Sequence, residues 1–168
     1  DLSKSNIIAT ALFGDGVAGG VISTDGNGHE LIAGGEYCWP GTKEIIGWTI
    51  EEDGFGVQFS RDVPNLVRRD LRVAADKFLS TKNIALSSIQ NYIFHPGGKK
   101  VLDALESAFE LDGTKLATAR SVLQEYGNMS APTVLFVLKK SFEHGLTGRS
   151  LVGALGPGFS AGFSILER

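Results

Sequence analysis

The sequence predicts an α/β fold. Three observations predict it. Stretches that read as strands alternate with stretches that read as helices, the last two strands face each other across Gly156-Pro157-Gly158, and 168 residues is a one-domain length. Hydrophobic residues make up 42% of the chain and charged residues 21%, the balance of an ordinary globular core and surface.

The elements follow in order. Asp1-Leu2-Ser3-Lys4 runs almost at once into the apolar stretch Ile7-Ile8-Ala9-Thr10-Ala11-Leu12-Phe13. A chain that opens this way, without a methionine, is expected to be a fragment of a longer polypeptide. After Gly14-Asp15-Gly16, residues 17–23 read as a buried strand ending in an Asp25-Gly26 turn. Residues 31–33 read as a second short strand. Residues 45–51 and 56–60 alternate apolar and polar side chains around Asp53-Gly54, a hairpin signal. Asp62-Val63-Pro64 predicts a helix start, with Asp62 as N-cap and Pro64 in the first turn. Leu66, Val67, Leu71, Ala74, Ala75 and Phe78 then recur at helical spacing.

Residues 89–94 read as a short strand that delivers His95 at its end. Residues 98–109 follow as a helix with Val101, Leu102, Leu105, Ala108 and Phe109 inward. Residues 114–126 predict another helix, stopped by Gly127. A third spans 130–144, with Ser130 able to cap it, Pro132 in its first turn and Gly145 as its stop. Strands at 151–155 and 159–166 close the chain.

Charge and cysteine content exclude several classes. The net charge is −3, so no basic excess points to nucleic acid or an anionic membrane. No apolar stretch approaches the roughly 20 residues of a membrane helix, and no signal-peptide pattern opens the chain. The one cysteine, Cys38, excludes an internal disulfide and fits a reducing, cytoplasmic setting. Cysteine and histidine show no metal-ligand spacing, and neither a phosphate-binding Gly-rich loop with Lys nor a dinucleotide fingerprint occurs.

Two short segments carry chemistry: His95-Pro96-Gly97-Gly98, and Tyr126-Gly127-Asn128-Met129-Ser130. Taken singly, a histidine at a strand end is usually structural and a Gly-Asn is usually a turn. Together with Ala11-Leu12-Phe13-Gly14-Asp15-Gly16, Ser60-Arg61-Asp62-Val63-Pro64 and Gly156-Pro157-Gly158, they form five segments in one order. In that order the chain resembles the C-terminal half of the type III polyketide synthases, the chalcone-synthase-like enzymes of the thiolase superfamily. The match covers essentially the whole chain. The Gly47-Trp48 stretch and the continuation Ser130-Ala131-Pro132-Thr133 look more bacterial than plant.

The resemblance implies a five-layered αβαβα thiolase fold made of two similar halves. This chain is then the second half, a mixed sheet covered by helices. It implies a homodimer of the full-length enzyme. It implies CoA thioesters as substrates, malonyl-CoA and an acyl-CoA starter, with no cofactor, metal, nucleic acid or membrane. His95 and Asn128 are the implied catalytic pair, acting with a cysteine that lies upstream of the Gly-Asp-Gly segment and is not in this chain. His95 as imidazolium is expected to hold that cysteine as thiolate. The His95 Nε2–H and the Asn128 NH2 group are expected to donate to a thioester oxygen as charge develops on it.

Further residues are expected at the substrate. Gly97 and Gly98 let a pantetheine arm pass close to the backbone. Ser130 lines the cavity or caps its helix. Gly156, Pro157 and Gly158 form a closing loop that lines the cavity. Val57 stands where plant chalcone synthases carry a gatekeeper phenylalanine, and Trp48 where a small glycine shapes the cavity; both equally suit a packed hairpin. Lys99 and Lys100 stand beside the CoA path. Cys38 lies downstream of the Gly-Asp-Gly segment and reads as structural. Arg68, Arg69 and Arg72 read as a solvated face, His29 as a loop histidine and His144 as a helix-end histidine.

Two other readings stay open. A ketoacyl-ACP synthase III shares the Cys-His-Asn logic, but typically has a glutamine-alanine-asparagine run after the histidine where this chain has Pro96-Gly97-Gly98. A non-catalytic half-domain that serves as a partner module would explain the missing nucleophile, yet has no need of both His95 and Asn128.

Overall fold

The computed structural model describes residues 4–168 except residues 27 and 53, and the side chains of Lys4 and Ser5. Helix α1 (Lys4–Leu12) opens it. Strand β1 (Glu30–Cys38) follows, then β2 (Ile46–Glu51) and β3 (Gly54–Phe59). The expected hairpin is present, and Asp53 of its turn lies outside the described residues.

A bent helical arm comes next: α2 (Val63–Leu66), a π-helical turn (Val67–Leu71) and α3 (Arg72–Ser80). Asp62 occupies the N-cap position, as its place before Val63-Pro64 suggests, but makes no side-chain cap bond. Its Oδ1 accepts from Asn65 Nδ2 instead, over 2.8 Å. Strand β4 (Asn91–Phe94) precedes α4 (Lys99–Phe109), α5 (Ala117–Tyr126) and α6 (Pro132–Glu143), and β5 (Ser150–Gly156) and β6 (Ser160–Glu167) end the chain.

Four strands form one mixed sheet in the order β1-β6-β5-β4. β4 runs parallel to β5, whereas β6 is antiparallel to both β5 and β1. β2 and β3 make a separate two-stranded ribbon. Across the four-stranded sheet one row of partners reads Gly35, Phe163, Gly153, Phe94. Directly paired residues share a face, so each glycine opens a gap beside a phenylalanine. Helices fill this face with their own rings. Phe78 of α3 stacks on Phe163 at 5.6 Å, and Phe109 of α4 meets Phe94 at 5.0 Å. The core is this layer together with Val63, Val67, Leu71, Leu79, Leu102, Leu105 and Val122.

Two expectations are overturned, and a third is borne out but extended. Residues 17–23 form no strand. Val17, Val21 and Ile22 are 89%, 98% and 82% exposed. The physical reason is that no described sheet edge takes them up as a ladder partner, and an unpaired apolar run has neither hydrogen bonds nor a face to bury. The strand expected at 31–33 is three times as long as expected and carries Cys38 at its end, because β6 offers it a full-length antiparallel partner. Ser130 is not the cap of α6: Ala131 holds that position, and Ser130 sits before it with φ +60°.

The remaining polar expectations find places. Arg69 pairs with Asp70 and Arg72 with Asp76 on the outer side of the arm. His144 is the C-cap of α6, and His29 rests against Phe142 at 4.6 Å. No described helix is long and apolar enough to cross a membrane.

Candidate active site

His95 is the first residue beyond β4. Its N–H donates to the Gly153 carbonyl over 2.8 Å, continuing the parallel ladder one residue past the strand. The chain then turns at once, with the Gly97 N–H donating to the His95 carbonyl over 3.0 Å. Gly98 precedes α4 at φ +155°, a conformation in which a side chain is strained. The imidazole is 7% exposed, and its Nδ1 has no hydrogen-bond partner among the described residues. Burial pulls its pKa down to about 4, so the ring is neutral at pH 7. The imidazolium expected from the resemblance therefore needs an anion beside it that these residues do not supply.

Asn128 is held by backbone first. Gly127 stops α5 at φ +71°, and a Cβ there would lie 2.9 Å from the Leu12 carbonyl oxygen, so only glycine fits. The next N–H, that of Asn128, donates to this same Leu12 carbonyl over 2.8 Å, and the Gly14 N–H donates to the Asn128 carbonyl over 3.0 Å. The apolar run at the start of the chain thus pins Asn128 through a parallel bridge at Phe13. The side chain is 4% exposed. Its Nδ2 donates to the Gly97 carbonyl over 3.2 Å, and its Oδ1 accepts from the Ser130 N–H over 2.8 Å. An amide NH2 has two hydrogens, so one N–H remains for a ligand.

Both side chains line one cavity of about 390 Å³. Of the residues singled out in the sequence, the structure brings to it His95, Gly97, Asn128, Ser130, Gly156, Pro157, Val57 and Trp48. The hairpin supplies the opposite wall. Ile46 pairs with Phe59, Trp48 with Val57 and Ile50 with Phe55, which puts six apolar side chains on one face of the ribbon. The inner two pairs line the cavity, and the outer pair runs on beyond it. Trp48 and Val57 therefore face the cavity while sharing the hairpin's apolar face.

Two expected lining residues fall elsewhere. Gly158 does not line the cavity. It turns the chain at φ +112°, and its carbonyl accepts from the Thr42 hydroxyl over 3.0 Å, which ties the closing loop to the segment before the hairpin. Gly98 lines a second, adjoining cavity of about 630 Å³, which shares Phe13, Val57, Phe59, Gly97 and Val101 with the first. Arg61, Lys99 and Lys100 line that second cavity. Cys38 is a free, exposed thiol beside Gly158 and lines neither cavity. No cluster of three metal-binding side chains occurs among the described residues.

Sequence reasoning missed the contribution of Phe13 and of Thr133. Phe13 was legible as part of an apolar run and of the segment leading to Gly14-Asp15-Gly16, with no sign that it lines the cavity. Thr133 is fully buried behind Ser130, and its hydroxyl accepts from the Met129 N–H over 2.9 Å. The only sequence signal for it is its spacing three residues after Ser130, which reads equally well as an ordinary first helical turn.

Comparison with known proteins gives the same answer from three sides. Residues 30–165 match the family profile of the chalcone and stilbene synthases, C-terminal domain. A Bacillus subtilis (strain 168) protein provisionally named a chalcone synthase is 36% identical over 96% of this chain and 47% of its own length. The 1,3,6,8-tetrahydroxynaphthalene synthase of Streptomyces peucetius subsp. caesius is 36% identical over 99% of this chain and 47% of its own length. The chain thus spans about half the length of the curated relatives it matches. Among solved structures, the 1,3,6,8-tetrahydroxynaphthalene synthase of Streptomyces coelicolor A3(2), a bacterial type III polyketide synthase, superposes with a TM-score of 0.87 at 30% identity, over 99% of this chain and 49% of that one. A thiolase-like fold of this kind, reached independently through sequence order and through shape, leaves one assignment: the chain belongs to the chalcone and stilbene synthase family of type III polyketide synthases, as its C-terminal domain.

Proposed function

We propose that this chain supplies the oxyanion-binding half of a synthase that extends an acyl-CoA starter with malonyl-CoA. A cysteine-bearing half, supplied in the same polypeptide, carries the growing acyl group as a thioester. Malonyl-CoA loses its carboxylate as carbon dioxide, and the electron pair left behind spreads onto the thioester oxygen. The resulting carbanion attacks the acyl carbonyl carbon, and the cysteine leaves as thiolate. His95 Nε2–H and the free Asn128 N–H donate to the oxygen on which charge develops. A neutral amide suits that task, because a carboxylate would repel the enolate.

The observation that carries this reading is the Asn128 carboxamide, clamped at both ends yet left with one N–H that no described residue takes, on a residue that lines the same cavity as His95. The neutral imidazole fits as well, since donation from Nε2 needs no positive charge. The thiolate of a neighbouring cysteine would raise the His95 pKa toward imidazolium. The second cavity supports free CoA as the carrier: Arg61, Lys99 and Lys100 line it, and it adjoins the first at Gly97. The enzyme works as a cytoplasmic homodimer, and this chain without the cysteine half is inactive.

Product analysis of the uninterrupted polypeptide tests the reading. Malonyl-CoA is offered with aromatic and fatty acyl-CoA starters, and products are read by mass spectrometry. Pyrones or resorcinols are expected, and His95→Ala is expected to abolish them, since loss of one oxyanion donor costs about 10²–10³ in kcat. Extension only from acyl carrier protein would favour a ketoacyl-ACP synthase III. No extension from either carrier would favour a partner module.

A further inference from the structure

A carboxamide is two-ended, and only its Nδ2 end can donate to an oxyanion. Two contacts choose the end at Asn128. The Ser130 N–H requires an acceptor and takes Oδ1, and the Gly97 carbonyl requires a donor and takes Nδ2. The first of these contacts comes from a residue in an unfavourable conformation. Ser130 sits at φ +60°, in the left-handed region that costs a non-glycine residue free energy. A single hydroxyl straddles it. Thr133 Oγ1 accepts from the Met129 N–H over 2.9 Å on one side and donates to the Ser130 carbonyl over 2.7 Å on the other. The Thr133 N–H adds a second bond to that carbonyl, over 3.0 Å. Thr133 is fully buried and does not line the cavity, so it touches no substrate.

We propose that Thr133 is a positioning residue for the reacting end of Asn128, acting through the left-handed turn at Ser130. The inference rests on reading Asn128 as an oxyanion donor. Removing the hydroxyl leaves the Met129 N–H without its partner and frees the turn to relax. The Ser130 N–H then swings off Oδ1, and the carboxamide loses what fixes its orientation.

Two measurements test this. The first uses the chain itself and reads amide hydrogen exchange at Ser130. Thr133→Val keeps the shape and loses both side-chain bonds, so exchange at Ser130 is expected to speed up about tenfold relative to amides in the middle of α6, the worth of about one hydrogen bond. Thr133→Ser is expected to stay near the unsubstituted chain. The second uses the full polypeptide and reads malonyl-CoA turnover. Thr133→Val is expected to lower kcat roughly tenfold with KM unchanged, well short of the 10²–10³ expected of Asn128→Ala. Thr133→Ser should restore it. In the double variant Thr133→Val should add nothing to Asn128→Ala, since residues acting through one contact are not additive.

Unchanged kcat in a folded Thr133→Val protein, or losses that multiply in the double variant, would overturn the inference. If Asn128→Ala leaves turnover intact, the oxyanion reading has failed and the catalytic role of Thr133 fails with it; Ser130 exchange then still shows whether the turn depends on the hydroxyl. Should Thr133→Val not fold, Thr133→Ala breaks the same bonds without adding a methyl where the hydroxyl stood, and carries the same comparison against Thr133→Ser.

Discussion

At His95 a buried imidazole with no partner for Nδ1 among the described residues makes stability depend on pH. The unfolded chain protonates this histidine near pH 6.5, and the folded chain only near pH 4. Between those values the unfolded state binds more protons, so stability rises with pH and is lost on acidification through that window. The difference is worth about 3 kcal/mol by pH 4. Urea unfolding of the chain at pH 7 and at pH 4 should show it, with His95→Gln losing about 3 kcal/mol less than the unsubstituted chain. Carboxylates titrate in both proteins and cancel in the comparison, so parallel losses would refute the assignment. His95 and Asn128 were legible through the family resemblance that five segments in one order carry, since singly they read as a strand-end histidine and a turn. Thr133 and the Gly97 carbonyl were not, because their roles depend on which way a buried amide faces. Sequence spacing says nothing about that until the turn at Ser130 is seen in three dimensions.

Among the elements, the sheet row Gly35, Phe163, Gly153, Phe94 shows what decides their packing. A Cβ at Gly35 would lie 2.7 Å from a ring carbon of Phe78, and one at Gly153 would lie 2.6 Å from the ring of Phe94. Phe78 is stacked on Phe163, so it cannot move away from Gly35 without disturbing that stack. Gly35→Ala is therefore expected to destabilise the chain by about 1–3 kcal/mol, the usual cost of overpacking. The denaturant midpoint should fall with an unchanged slope. A neutral result would mean that α3 slides on the sheet. Periodicity found α4, α5, α6, β5, β6 and the hairpin, because each has an apolar face and a partner within the chain. It placed the start of α6 less well: Ser130 yields the cap position to Ala131, because its left-handed turn is held by Thr133 and Asn128. It could not see the π-helical turn at Val67–Leu71, where both bounding residues are buried and packing, not propensity, sets the winding.

The whole molecule has one failed expectation that carries information. Residues 17–23 read as a buried strand, and their apolar content supports that reading, yet Val17, Val21 and Ile22 stand in solvent. Ile7 and Ile8 of α1 are more than half exposed as well, as are Ile50 and Phe55 at the outer end of the hairpin. Alternating or clustered apolar residues are normally buried by something. The relatives of this chain are about twice its length, so a second half is available there to supply a surface of the required size. The structure overturns the buried strand: the run stands uncovered among the described residues, and a second half of that kind would be the partner such a surface fits. Without that partner the chain should associate with itself through this surface. Sedimentation velocity over a range of tens of micromolar should show a weight-average mass that climbs above 17.9 kDa with concentration. Val21→Lys with Ile22→Lys removes two of the most exposed apolar side chains and adds like charges that repel across a self-contact, so this variant should return the chain to a single species. Neither residue lines either cavity, so the variant tests the surface without touching the site. A monomer of 17.9 kDa at every concentration in the unsubstituted chain would mean that the exposed run folds back on its own molecule in solution.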